Sequence, residues 1–248
     1  MTEAAQSGER QAGAHHAATH PSVVPLRRSP AAPAETSSVD TSSEYALPPL
    51  PVASSITKRL FDILVASSAL LVFLPLLVMI AMLIRLDAPG PALFRQRRTG
   101  LGGKVFTIYK LRTMTVVEDA GEVRQATKND IRVTQIGGIL RKLSLDELPQ
   151  LFNVLVGDMS IVGPRPHAIA HDAFYGERIP TYGERFRARP GLTGFAQISG
   201  FRGEVRELKQ MADRISADNA YIDRWSLGLD VMITFKTLPL MLRDPNAY

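Results

Sequence analysis

Two adjacent carboxylates, Asp146 and Glu147, stand in the stretch LRKLSLDELPQLFNVLVGDMSIVGPRP (residues 140–166), with Arg141 and Lys142 before them and Arg165 between Pro164 and Pro166 after them. Carboxylates among cations can cap a helix, hold a metal, or attack phosphorus. A glycosidase pair fits poorly, because consecutive helical residues point about 100° apart, whereas glycosidase acids flank the sugar from opposite sides at about 5 to 9.5 Å. An aspartyl-phosphate chemistry needs one nucleophile, nearby cations and usually a divalent metal to spread negative charge. The local cast suits it.

The elements that must position these residues follow from local pattern. Ser144 and Glu147 match a capping box, which starts a helix at SLDE and makes Asp146 its second residue, where free amides and the helix dipole favour the ionised carboxylate. Purely structural capping remains an equal reading for Glu147. Leu148, Leu151, Phe152, Leu155 and Val156 then form a 3.6-residue stripe ended by Gly157. Pro164 and Pro166 hold Arg165 extended, a frame suited to bidentate phosphate binding. ARPGLTGFAQISG (residues 188–200) repeats that style at Arg189; for either arginine, a turn residue facing solvent is the plainer alternative. Two apolar-basic runs flanking TGLGGK (residues 99–104) predict a β-hairpin whose second strand carries Lys110 and Arg112 on one face. Such a pair can also be a solvated strand face. The polar stretch 115–135 reads as a loop. Leu208, Met211, Ile215 and Ile222 mark one face of a helix that also carries Asp218, a carboxylate either partnered or at the solvent boundary. The apolar segment 225–244 lies along a membrane interface or covers the core.

Upstream, residues 63–84 run 22 positions without a charge, roughly 33 Å of helix against a hydrocarbon core of about 30 Å. Pro75 near the middle predicts a bend. Lys58 and Arg59 before the run, and Arg85, Arg95, Arg97 and Arg98 after it, draw both ends to one face. A hairpin entering one leaflet and a single kinked span stand at even weight on these features. Residues 1–50 carry three arginines against five acids, a net of −2, with no apolar period, and are expected to stay disordered. The whole chain is +5, which leaves +7 on the remainder and suits polyanionic partners. There is no cysteine, hence no disulfide, thiolate nucleophile or cysteine zinc site. No signal peptide is read at the N-terminus, since the first apolar run begins past residue 60.

Together, KRLFDI, LFRQRRTG, FTIYKLRTM, the dyad stretch above, RPGLTGFAQISG and YIDRWSLGLD, in that order over residues 57–244, resemble the bacterial sugar transferase family, the monotopic phosphoglycosyl transferases. The resemblance implies that Asp146 attacks the β-phosphate of a UDP-sugar and releases UMP, that Glu147 assists, and that undecaprenyl phosphate resolves the phosphosugar-aspartate. It implies Mg2+ as cofactor with Asp146 as a ligand, and functional roles for Lys110, Arg141, Arg165 and Asp218. With the disordered tail (1–56) and the small β-hairpin read above, it gives an α+β, mainly helical fold: a re-entrant helix-break-helix (57–86) follows the tail, and a compact cytosolic domain (87–248) carries the hairpin on the cytoplasmic face of the bacterial inner membrane. GFRGE (residues 200–204) and YIDRWSLGLD resemble the enzymes that start exopolysaccharide or capsule assembly with glucose or galactose. Leu74 precedes Pro75 where relatives often have serine, and a tail stands where many relatives carry transmembrane helices. A second copy of the chain and downstream glycosyltransferases are candidate partners. The rival class is a membrane-tethered protein that binds anionic lipid or nucleic acid. Against nucleic acid, the basic residues are not interleaved with aromatic stacking positions.

Overall fold

The computed structural model describes residues 50–115, 130–203, 205 and 207–243. The expected tail therefore lies, for residues 1–49, outside the described residues, as does most of the polar stretch 115–135. Residues 50–55 are folded: the short helix α1 (Pro51–Ser54) buries Val52 and Ala53.

Helix α2 (Ile56–Asp87) starts where the Ser55 side chain accepts from the Lys58 amide, at 3.3 Å. It runs unbroken through Pro75, so the interruption implied by the resemblance is not present in its secondary structure. Among the described residues it is the one helix long and apolar enough to cross a membrane. Lys58, Asp62, Ala66 and Leu70, then Leu77, Ile80 and Ile84, are buried on one stripe, because steps of three, four and seven residues return to the same side of a helix. Residues 71–75 are exposed all round, with Leu71 at 80 %. Both ends thus rest on the folded body and the middle does not.

The predicted hairpin forms. β1 (Leu93–Thr99) pairs antiparallel with β2 (Val105–Leu111), with Arg95 opposite Tyr109 and Phe94 opposite Lys110. Helix α3 (Gln135–Lys142) follows, its start capped by Thr134, whose hydroxyl accepts from the Gly137 amide. Helix α4 (Gln150–Val156) packs on α2 and β2 and buries Leu151, Asn153 and Val154, whereas Phe152 and Val156 of the predicted stripe are exposed; it ends at Gly157, whose φ of 95° only glycine adopts without cost. Local pattern did not announce the next pairing. β3 (Ser160–Val162) lies parallel to β4 (Gly191–Thr193), so close that a Cβ on Gly163 would stand 2.3 Å from the Arg189 carbonyl oxygen. Helices α5 (Ile169–Gly176), α6 (Phe195–Ile198), α7 (Leu208–Asp223) and α8 (Leu227–Arg243) complete the body. One apolar core joins α2, β2, α4, β3 and α8; a smaller one gathers Ile179, Tyr182, Phe186, Met211 and Ile215.

Candidate active site

The capping box does not form. Ser144 takes a left-handed conformation (φ 56°), and its hydroxyl accepts from the Arg202 guanidinium at 2.6 Å instead of capping a helix. Residues Leu145–Glu147 make a single 3-10 turn, and α4 begins at Gln150 with Pro149 as its N-cap. A proline there loses no helical hydrogen bond, which is why the helix starts after it. The dyad is therefore presented on a tight turn between two helices.

Three segments converge on that turn. Asn153 bolts α4 to the hairpin, since its Oδ1 accepts from the Tyr109 amide at 3.1 Å and its Nδ2 donates to the Thr107 carbonyl at 2.7 Å. This register brings Lys110 to the turn, where its Nζ donates to Glu147 Oε1 at 2.8 Å. From the other side Arg165 presents its planar fork to the same carboxylate, Nη2 to Oε1 at 2.5 Å and Nη1 to Oε2 at 3.1 Å. Burial alone would raise Glu147, but the Arg165 and Lys110 cations outweigh it and hold the carboxyl well below the usual range. Glu147 is thus a permanent anion between two cations, not a cap.

Asp146 differs. It makes no hydrogen bond or ion pair with the described residues, and it keeps a partly open face. Burial pushes its carboxyl up to about 6, with Lys110, Arg141 and Arg165 pulling down and the Glu147 charge pushing up. The helix-dipole stabilisation expected from an SLDE helix start is absent. Near neutral pH the group is still ionised, desolvated and unengaged, which is the condition of a nucleophile for phosphorus.

Among the other sequence-predicted residues, Arg141 acts at Asp146 through its charge. Asp218 does not reach the dyad: it lies on the buried face of α7, 2 % exposed, with Arg185 Nη2 at 3.7 Å, and burial raises it to about 6 against Arg185, Arg214 and Arg165. Arg112 does not work with Lys110. It clamps the end of α2, donating to the carbonyls of Ile84, Ala88 and Pro89. Arg189 is structural, bonded to the carbonyls of Gly157 and Ala53. Leu208, counted on the apolar face of its helix, is exposed. Sequence reasoning missed Arg185, which donates to the Arg165 carbonyl and, at 3.0 Å, to the Tyr182 hydroxyl; Tyr182 in turn donates to Asp172 at 2.6 Å and meets His167. Nothing local in ERFRARP distinguishes the buried Arg185 from Arg187, which pairs with the exposed Glu184 and Asp223.

A carboxylate pair split into one engaged and one free member and ringed by cations, on a domain built around a long apolar helix, is a site suited to a phosphate-bearing substrate. Residues 53–244 match the family described as Bacterial sugar transferase, and the chain belongs to it. It is 54 % identical over 201 residues to a UDP-glucose:undecaprenyl-phosphate glucose-1-phosphate transferase of Caulobacter vibrioides, covering 81 % of this chain and 75 % of that protein. It is 48 % identical over 190 residues to the protein of the same description in Escherichia coli, covering 77 % of this chain but 41 % of that one. It is 47 % identical over 187 residues to the exopolysaccharide production protein PSS of Rhizobium leguminosarum, covering 74 % and 94 %.

Proposed function

We propose that the protein transfers a hexose 1-phosphate from a UDP-sugar, UDP-glucose first among them, to undecaprenyl phosphate, giving undecaprenyl-diphosphate-hexose and UMP at the start of exopolysaccharide or capsule assembly. The names borne by the Caulobacter and Escherichia relatives point to this donor and acceptor, and that of the Rhizobium relative to exopolysaccharide production. The observation that carries the chemistry is the division within the dyad: Glu147 is fully engaged by Lys110 and Arg165, and Asp146 is free.

An ionised Asp146 oxygen attacks the β-phosphorus of the donor. The bond from that phosphorus to the oxygen bridging the α-phosphate breaks, and UMP leaves with the oxygen and its electron pair. The sugar phosphate is held on Asp146 as an acyl phosphate until an oxygen of undecaprenyl phosphate attacks the same phosphorus and expels the carboxylate. Lys110, Arg141 and Arg165 place positive charge where the diphosphate's negative charge gathers, and Glu147 keeps Lys110 and Arg165 aimed there. Asp218, through Arg185, supports the Arg165 side of the site.

The donor set suits magnesium held largely by substrate. Among the described residues no group of three or more His, Asp or Glu converges, whereas Asp146 offers one free carboxylate, and magnesium takes one or two carboxylates with substrate phosphates and water. Asp146 would hold it, and the ion would spread the diphosphate's charge.

The same reading puts α2 in one leaflet, with the domain on the cytoplasmic face of the inner membrane. Its support is that both ends of α2 dock on one body, Lys58 and Arg59 at one end and Ile84 at the other, with residues 71–75 the stretch that leaves it. A membrane-spanning path would need its two ends on opposite sides.

The test is UMP release from a panel of UDP-sugars with undecaprenyl phosphate in lipid nanodiscs, with mass detection of phosphohexose on the Asp146 peptide. No UMP from any donor, or undiminished turnover by Asp146→Asn, would remove the proposal.

A further inference from the structure

The chemistry above leaves unused a set of charges buried at the foot of the membrane helix. Lys58 and Asp62, one turn apart on α2, are 3 % and 2 % exposed, and Asp230 on α8 is fully buried. Lys58 Nζ donates to Asp230 Oδ2 at 2.9 Å, to the Val162 carbonyl at 3.0 Å and to the Tyr221 hydroxyl at 3.2 Å. Tyr221 has one proton for either Asp230 Oδ1 at 2.7 Å or the Val162 carbonyl at 3.1 Å, and Trp225 Nε1 donates to Asp230 Oδ2 at 2.9 Å. Asp62 Oδ1 accepts from the Ser160 hydroxyl and the Ile161 amide, both at 2.9 Å.

Burying an ion costs several kcal/mol, and a helix that only anchored the domain would be served as well by apolar residues of similar volume. The targets of these charges explain the expense. They are three successive residues of β3, the strand that runs through Gly163 and Pro164 into Arg165. From there the chain stays tied: the Gly163 amide donates to the Thr193 carbonyl, the Pro164 carbonyl accepts from the Gly191 amide, and the Arg165 carbonyl accepts from Arg185. Gly163 and Gly191 leave no slack, since a Cβ on either would meet backbone at 2.3 Å or less. A shift of β3 along α2 is therefore passed to the Arg165 fork.

We infer that Lys58 and Asp62 are positioning residues for the transfer: the foot of the membrane helix holds residues 160–165 in register and so sets the Arg165 guanidinium on Glu147. The inference rests on the proposed phosphoglycosyl transfer. The membrane helix is then part of the active-site scaffold as well as an anchor.

The experiment uses the full chain in nanodiscs, with UDP-glucose as donor and single-turnover UMP release as readout. Lys58→Met combined with Asp230→Asn removes both charges at once, so neither is left buried alone. The expected result is a loss of about tenfold in kcat/KM at a melting temperature within a few degrees of wild type. In an Arg165→Lys background the same pair should cost less than about threefold, because residues acting through one group are non-additive. Wild-type activity in the pair variant, or a tenfold loss undiminished in the Arg165→Lys background, would overturn the inference. Should the pair variant not fold, Tyr221→Phe and Ser160→Ala each delete one hydroxyl from the lock. Each should lose about two- to fivefold, and the loss should vanish with Arg165→Lys; losses that multiply would overturn the inference equally. A wild-type protein releasing no UMP from any UDP-sugar would instead remove the functional reading and this inference with it.

Discussion

Asp146→Asn should abolish turnover and raise the melting temperature together. Burial lifts the Asp146 carboxyl from 3.8 to about 6, a shift of roughly two units, and at 1.36 kcal/mol per unit this is about 3 kcal/mol as an upper bound. The carboxylate keeps a partly open face, so solvent screening reduces the expected figure to about 1 to 2 kcal/mol. The sign follows from linkage. A folded-state value above the unfolded one means that the stabilisation belongs to the protonated form, is complete below about 4, and is lost as pH rises through about 6. At pH 7.5 the wild type therefore bears the whole cost of an ionised Asp146, and the neutral asparagine does not. For a domain of this size the gain corresponds to roughly 3 to 6 °C. Melting curves of both proteins in the same nanodiscs at pH 7.5 and 4.5 measure it, and titrating groups that do not interact with Asp146, Asp218 included, cancel in the difference. The gain should be present at pH 7.5 and close to zero at pH 4.5. An asparagine variant that melts at or below the wild type at pH 7.5, or a gain independent of pH, would refute the assignment of Asp146 as a desolvated, unengaged carboxylate.

Three further outcomes are expected. Lys110→Met removes the cation that most lowers Asp146, so the acid limb of the UMP-release profile should move above pH 6 while the rate falls about 10- to 100-fold; a limb that stays put would separate Lys110 from Asp146. Arg165→Lys keeps the charge but loses the two-point grip on Glu147, and kcat/KM should fall at least about tenfold, with unchanged kinetics marking Arg165 as a turn residue. Single cysteines at the exposed positions Ser54 and Asp87, in a chain with no native cysteine, should both resist an impermeant thiol reagent added outside intact cells and react once the cytoplasmic face is opened; labelling of Ser54→Cys from outside would establish a span.

Much of the framework was legible because it is local. The hairpin was announced by two apolar-basic runs about a glycine-rich turn, the end of α4 by Gly157, and the long apolar helix by its length; the α4 stripe was legible only in part, since Phe152 and Val156 are exposed and Val154 takes the buried side. The start of α4 was misread because SLDE satisfies a capping box in composition, whereas Ser144 is drawn left-handed to meet Arg202 and Pro149 sets the true start. The basic pair before the long apolar helix reads in the sequence only as charge that draws that end to one face of a membrane. In the fold Lys58 is buried on Asp230 and Arg59 closes the C-terminal carbonyls of Val154 and Leu155.

By itself, the sequence determined which residues could do chemistry and, through several motifs in one order, the family. Side-chain types, two- and 3.6-residue periods, and prolines that fix φ are properties of neighbouring positions, and they survive without a fold. Only the tertiary structure decided how the charges are shared out: Glu147 taken by Lys110 and Arg165 with Asp146 left free, Arg112 sent to the end of α2, and Lys58 paired with a carboxylate 172 residues away. Charge has no periodicity that names its partner. Which cation meets which carboxylate is settled when desolvation makes any unpaired choice too costly, and that condition exists only after the chain has packed.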